Sequence, residues 1–197
     1  MSKIDLSAAV KHLSKNDKVL STIIKNIGII NLTQRKKYFN LLLGSIISQQ
    51  LSTYSAAAIQ KRFFSFFKND PRPENVLETD DLTLRALGLS NAKIKYVKDL
   101  SVKFLSGEVK LGGFGKMTDE DIIAELTKVK GIGVWTAHMF LIFTLGRLNI
   151  LPVGDLGIRK SIMVNYRLKY LPDEKKIRQI AKNNNWQPYC SVVSLYL

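Results

Sequence analysis

Apolar residues recur at intervals of three and four along most of the chain, the spacing that places them on one face of a helix. Leu6, Ala9, Val10 and Leu13 share a face over residues 5–15, and Val19, Leu20, Ile23 and Ile24 do so over 17–26. Residues 34–49 predict a strongly apolar helix through Phe39, Leu42, Leu43, Ile46 and Ile47. After Gln50-Leu51 a further helix runs through Ala56–Phe67, with Ser52 or Thr53 as its N-cap. The stretch Asn69–Pro73 is a loop, and short helices follow at about 74–78, 81–86 and 91–106. Gly107–Phe114 is a break. Thr118 with Asp121 resembles a capping box and opens a helix through Leu126. Beyond Lys130-Gly131-Ile132-Gly133 come helices at Val134–Leu145, Leu156–Leu168, 172–182 and 187–197. No segment alternates at period two. The pattern predicts an all-α protein of ten or so helices.

The chain of 197 residues suits one domain or two small lobes. With 46% hydrophobic residues it is a folded body. Its 30 Lys and Arg against 16 Asp and Glu leave a formal charge of +14, spread through both halves. A folded, strongly basic protein points to a polyanion, nucleic acid before membrane. The single Cys190 excludes an intramolecular disulfide, a four-cysteine cluster and a cysteine-based zinc site; His12 and His138 are too few for a multi-histidine centre. No apolar run reaches the ~18 residues of a membrane helix, and the polar N-terminus lacks a signal-peptide core. An intracellular, reducing compartment is expected.

The segment Leu126–Ala137 reads as helix, tight turn, helix. Glycine at 131 and 133 permits positive φ and close approach of a ligand to the backbone. The second helix starts at once, with free N–H groups and a positive dipole end that suit a phosphate. A plain helical connection explains the same glycines. Leu126, Val129, Ile132, Ala137 and Phe140 supply the apolar support of a packed hairpin, flanked by Lys128 and Lys130. This pattern resembles the helix–hairpin–helix DNA-binding element. With the downstream loop Leu151-Pro152-Val153-Gly154-Asp155, the chain resembles the helix–hairpin–helix (HhH-GPD) DNA glycosylase superfamily, and its 3-methyladenine DNA glycosylase II branch in particular. Ile47–Thr53, Leu87–Lys93 and Trp186-Gln-Pro-Tyr189 fit that branch, so the resemblance covers residues 35–197. It implies a two-lobed helical fold. One lobe would span 34–146 and end in the hairpin at about 120–145; residues 1–33 and 147–197 would form the other, with the active-site cleft between.

Asp155 stands out by itself, as the only acidic residue between Glu125 and Asp173. Around it in sequence lie Lys128, Lys130, Arg147, Arg159, Lys160, Arg167 and Lys169. An N-cap for the helix opening at Leu156 and a functional carboxylate are both open readings, and they are compatible. Cleaving a base–deoxyribose bond develops oxocarbenium-like charge on the sugar. A fixed anion stabilises that charge and can orient or deprotonate the attacking water. The resemblance implies that Asp155 is the catalytic residue. Relatives with lyase activity carry a lysine nucleophile where this chain has Trp135, which implies a monofunctional enzyme. Trp135 is either a core residue or a platform for a flipped, cationic base.

The resemblance further implies a base pocket with Trp135, Met139 and Tyr54; a wedge at Gln50, with Leu51 second; phosphate contacts from Gly131, Gly133, Thr136, Lys130 and Lys128; and a monovalent cation, Na+ or K+, on the carbonyls of Thr127, Val129 and Ile132. Tyr54, Trp186 and Tyr189 are the weaker pocket candidates, and each reads first as core. Relatives often have an aromatic where Met139 stands, an Arg where Cys190 stands, and a further Trp past the position of Leu197, so a less aromatic pocket is expected. The implied activity is excision of alkylated purines from double-stranded DNA to leave an abasic site, by a monomer needing no cofactor and no membrane. A non-catalytic DNA-binding relative, a glycosylase for other lesions, and a basic membrane- or ribosome-associated protein are the alternatives.

Overall fold

The computed structural model describes residues 2–197, and among these it has twelve α-helices and one two-stranded antiparallel ribbon. The helices are α1 (Ser7–Asn16), α2 (Lys18–Ile27), α3 (Tyr38–Ser48), α4 (Thr53–Phe66), α5 (Pro73–Glu78), α6 (Asp81–Ala86), α7 (Asn91–Leu105), α8 (Asp119–Thr127), α9 (Val134–Phe140), α10 (Leu156–Asn165), α11 (Glu174–Asn183) and α12 (Cys190–Tyr196). The expected helix caps form: Ser52 accepts the Ser55 amide at 3.2 Å and Thr118 the Asp121 amide at 3.1 Å. After α9 the chain widens into a π-helical turn, Leu141–Leu145. The ribbon departs from the sequence pattern. β1 (Ser2–Ile4) pairs with β2 (Leu32–Gln34), Lys3 opposite Thr33. Strands of three residues are too short for a period of two to show. They also delay the start of α3 from 34 to 38.

The chain divides into two compact units, residues 37–137 and residues 1–36 with 138–197. The boundaries differ from the 34 and 146 read from the sequence. β2 belongs with the later segment: the Arg35 amide donates to the Thr144 carbonyl at 2.9 Å, and Gln34 Nε2 to the Leu145 carbonyl at 2.9 Å. These bonds join Gln34 and Arg35 to the π turn, and the division falls inside α9.

In the unit 37–137, α3 is apolar nearly all round and therefore central. Leu42, Leu43, Ile46 and Ile47 are fully buried, and α4 and α7 pack on it with Phe63, Val97 and Leu100. In the other unit, Leu6 and Leu13 of α1, Leu20 of α2, Ile158 and Ile162 of α10, Ile177 of α11 and Val192 and Val193 of α12 form one core with Trp186. Cys190 sits in that core, and burial pushes its thiol up to about 11.

Candidate functional site

The hairpin is built by the turn that leaves α8. The Val129 amide donates to the Leu126 carbonyl and the Ile132 amide to the Val129 carbonyl, each at 3.1 Å. The Val129 and Ile132 side chains are buried, as a packed hairpin needs. Gly131 has φ +83°, and a Cβ there would stand 2.2 Å from the Tyr96 ring, so both backbone and packing demand glycine. A Cβ at Gly133 would meet no protein atom within 4 Å. The space beside Gly133 is therefore open.

α7 holds the turn from behind. Asp99 accepts the Lys130 amide at 2.8 Å, and the Lys103 ammonium donates to the Lys128 carbonyl. Of the two flanking lysines, Lys128 is tied to Glu125 at 2.6 Å and to the Glu108 carbonyl at 3.1 Å. The Lys130 side chain is 72% exposed, with Asp99 3.8 Å away. Lys130 is thus the better placed to meet a phosphate. Thr136 is buried, so its side chain supports α9 and only its amide, in the first helical turn, suits a ligand.

The Gln49–Ser52 turn follows α3. Gln50 is exposed with φ +57°, a left-handed conformation that costs a non-glycine residue roughly 1–2 kcal/mol. Leu51 beside it is exposed too. Three side chains brace the end of α3. Gln60 donates to the Gly44 carbonyl at 3.0 Å and to the Ser48 hydroxyl; Lys93 Nζ donates to the Ile47 carbonyl at 2.7 Å; Gln49 Nε2 donates to the Gly131 carbonyl at 2.7 Å. Burial lowers the Lys93 pKa. None of these braces was read from the sequence. One signal was available, a lysine in the first turn of α7 against the helix dipole.

Asp155 is the N-cap of α10. Its Oδ1 accepts the Ile158 amide at 2.9 Å, and its own amide donates to the Pro152 carbonyl at 2.9 Å. The loop before it is anchored by Ser191, whose hydroxyl accepts the Ile150 amide at 2.8 Å. A Cβ on Gly157 would come within 3.1 Å of Asp155 Oδ1, so that glycine leaves room for the carboxylate. Asp155 remains partly exposed, and Arg159 is directed to the Pro172 carbonyl at 2.9 Å.

A profile described as "HhH-GPD superfamily base excision DNA repair protein" matches residues 43–187. The chain belongs to the HhH-GPD superfamily of base excision DNA repair proteins. It is 33% identical to the putative DNA-3-methyladenine glycosylase YfjP of Bacillus subtilis, over 98% of this chain and 68% of that one. It is 29% identical to the alkylbase DNA glycosidase-like protein mag2 of Schizosaccharomyces pombe, over 98% and 92%. Among solved structures, the S. pombe 3-methyladenine DNA glycosylase Mag1 in complex with abasic DNA superimposes with a TM-score of 0.85. It is 31% identical and covers 96% of this chain and 94% of its own.

In this HhH-GPD chain the other expected site residues fall as follows. Trp135 is 51% exposed on the first turn of α9, and Met139, one turn later, is half-buried. Tyr54, in the first turn of α4, is 86% exposed and faces solvent. Trp186 is fully buried, its indole N–H donating to Asp17 at 2.8 Å, and is structural. The half-buried His138 has its pKa lowered by burial and by Arg178. Among the described residues no group of three His, Cys, Asp or Glu gathers to hold a metal, and no helix is long and apolar enough to cross a membrane.

Proposed function

We propose that this protein is a monofunctional DNA glycosylase that flips alkylated purines out of double-stranded DNA and hydrolyses their N-glycosidic bond, leaving an abasic site. The observation that carries the reading is Asp155: a carboxylate whose Oδ1 accepts the Ile158 amide, given room by Gly157, and the only acidic residue between Glu125 and Asp173. A surface that binds phosphates gains nothing from such an anion unless it acts on the sugar. There it stabilises oxocarbenium charge and orients the water that attacks the anomeric carbon. The base departs with the electron pair of the broken bond. N-alkylated purines already carry positive charge, so they leave without a general acid. Trp135 in place of a lysine provides no amine for a Schiff base, hence no strand cleavage, and its exposed ring suits stacking on an electron-poor base.

Phosphates next to the lesion would be held by the backbone at Gly131 and Gly133, the Thr136 amide and Lys130, with Lys128 secondary. Gln50 and then Leu51 would enter the gap left by the flipped base. Met139 would line the base pocket with Trp135, while the solvent-facing Tyr54 suits contact with the DNA strand better than a pocket wall. No cofactor is needed. The carbonyls of Thr127, Val129 and Ile132 fit a structural Na+ or K+: the end of α8 leaves carbonyls without helical partners, and the Val129 carbonyl, which accepts the Ile132 amide, keeps a second lone pair. The protein would work as an intracellular monomer. Incubation with methylated duplex DNA, followed by chromatography of the released bases, tests the proposal. Release of 3-methyladenine or 7-methylguanine supports it; DNA binding without base release would leave a non-catalytic lesion-binding protein.

A further inference from the structure

We infer that Gln49 is a positioning residue that fastens the intercalating turn to the phosphate-gripping hairpin, so that the two engage DNA as one preformed unit. The inference rests on the glycosylase reading above. Gln49 and Gly131 are 82 positions apart in sequence, yet the Gln49 side-chain amide donates to the Gly131 carbonyl at 2.7 Å. That carbonyl is itself fixed. Gly131 has φ +83°, and the Tyr96 ring packs against it so closely that a Cβ there would stand 2.2 Å from the ring. At the other end, Gln49 directly precedes Gln50, whose left-handed backbone aims its side chain outward. Bracing by Lys93 at Ile47 and by Gln60 at Gly44 holds the end of α3 but stops short of the hairpin. Gln49 makes the link across.

The link has a mechanical use. Flipping a base is uphill, and a side chain that enters the stack contributes only if it arrives at the right depth and angle. The hairpin sets the position of the backbone by its phosphates. A rigid tie between hairpin and turn then fixes where Gln50 enters, so that little ordering remains at the moment of opening. Without the tie the hairpin still binds phosphates, while the turn is free to relax from its left-handed geometry.

The test replaces Gln49 by Met, which keeps the side-chain length but donates no hydrogen bond, with Gln49→Ala measured alongside. The substrates are two duplexes carrying one 7-methylguanine, paired with cytosine in the first and set opposite an abasic-site analogue in the second, where no pairing resists opening. The thermal midpoint should stay within a few degrees of the parent protein's, and affinity for undamaged duplex within twofold. Single-turnover release from the paired lesion should fall about fivefold, the scale of one lost neutral hydrogen bond. Release from the unpaired lesion should stay within twofold. Equal losses on both duplexes, or no loss on the paired one, would overturn the inference. A 2-aminopurine beside the lesion reports opening without base release. If the parent protein opens the duplex but releases nothing, the glycosylase reading fails, while a fivefold lower opened fraction in both Gln49 variants still upholds the tie and an unchanged one refutes it.

Discussion

Asp17 and Asp155 both cap helices in the unit formed by residues 1–36 and 138–197, and their surroundings could hardly differ more. Asp17 is 1% exposed. Its Oδ1 accepts the Val19 and Leu20 amides at 2.9 and 3.1 Å, while Oδ2 accepts the Tyr166 hydroxyl and the Trp186 indole N–H. Burial, reinforced by the carboxylate, keeps the Tyr166 phenol protonated far beyond its usual range. Asp155 uses the same local bond to start α10 but stays in reach of solvent. A carboxylate that is itself buried, with both oxygens taken up by donors of the same unit, holds the fold together; one that caps a helix yet stays partly exposed keeps access to solvent. The cap is common to both, so capping alone does not mark function.

That contrast breaks or sharpens under substitution. The largest effect is expected at the exposed member. Asp155→Asn keeps a capping oxygen and should leave duplex affinity and thermal midpoint nearly unchanged, while single-turnover base release falls about 10²–10³-fold. Unimpaired release by this variant would sink the catalytic assignment. Asp17→Ala should do the converse. It strips the α2 cap and leaves the half-buried Tyr166 hydroxyl and the buried Trp186 indole N–H unmatched, costing about 3–5 kcal/mol in a denaturant titration with little direct effect on chemistry in the protein that stays folded.

A smaller effect is expected at Trp135, which is half in solvent and so lends little to the core. Trp135→Ala should reduce release of alkylated bases about tenfold or more, the scale of one lost base–aromatic stack, at nearly constant stability. A loss of stability in proportion would make it a core residue like Trp186. The smallest effect concerns His138. Burial and Arg178 hold its folded pKa below the ordinary 6.5, so the unfolded chain binds the proton more readily. Its contribution is whole above that value and declines as pH falls through it. Denaturant midpoints at pH 7.5 and 5.5 should therefore diverge more in the parent than in His138→Gln.

Much of this was legible in the chain. The helical repeat located the helices to within a few residues, because a buried face must recur every three to four positions whatever it packs against. Glycines at 131 and 133 marked the hairpin, and the scarcity of acid between Glu125 and Asp173 singled out Asp155. The ribbon between Ser2–Ile4 and Leu32–Gln34 was not legible, since three residues carry no period. Nor was the tie from Gln49 to Gly131, because glutamine carries no charge and follows no spacing that points to a partner 82 positions away.

Asp17 shows the same limit from the other side. By local pattern it is an N-cap no different from Asp155. Its burial depends on Tyr166 and Trp186, which the fold brings from the far end of the chain. The sequence determined the helices, the hairpin, the basic surplus and the lone carboxylate between Glu125 and Asp173, because these depend on residue type and near-neighbour spacing. Only the tertiary structure decided which aspartate is buried as a structural group and which stays accessible, because desolvation and long-range hydrogen bonds are properties of the packed chain.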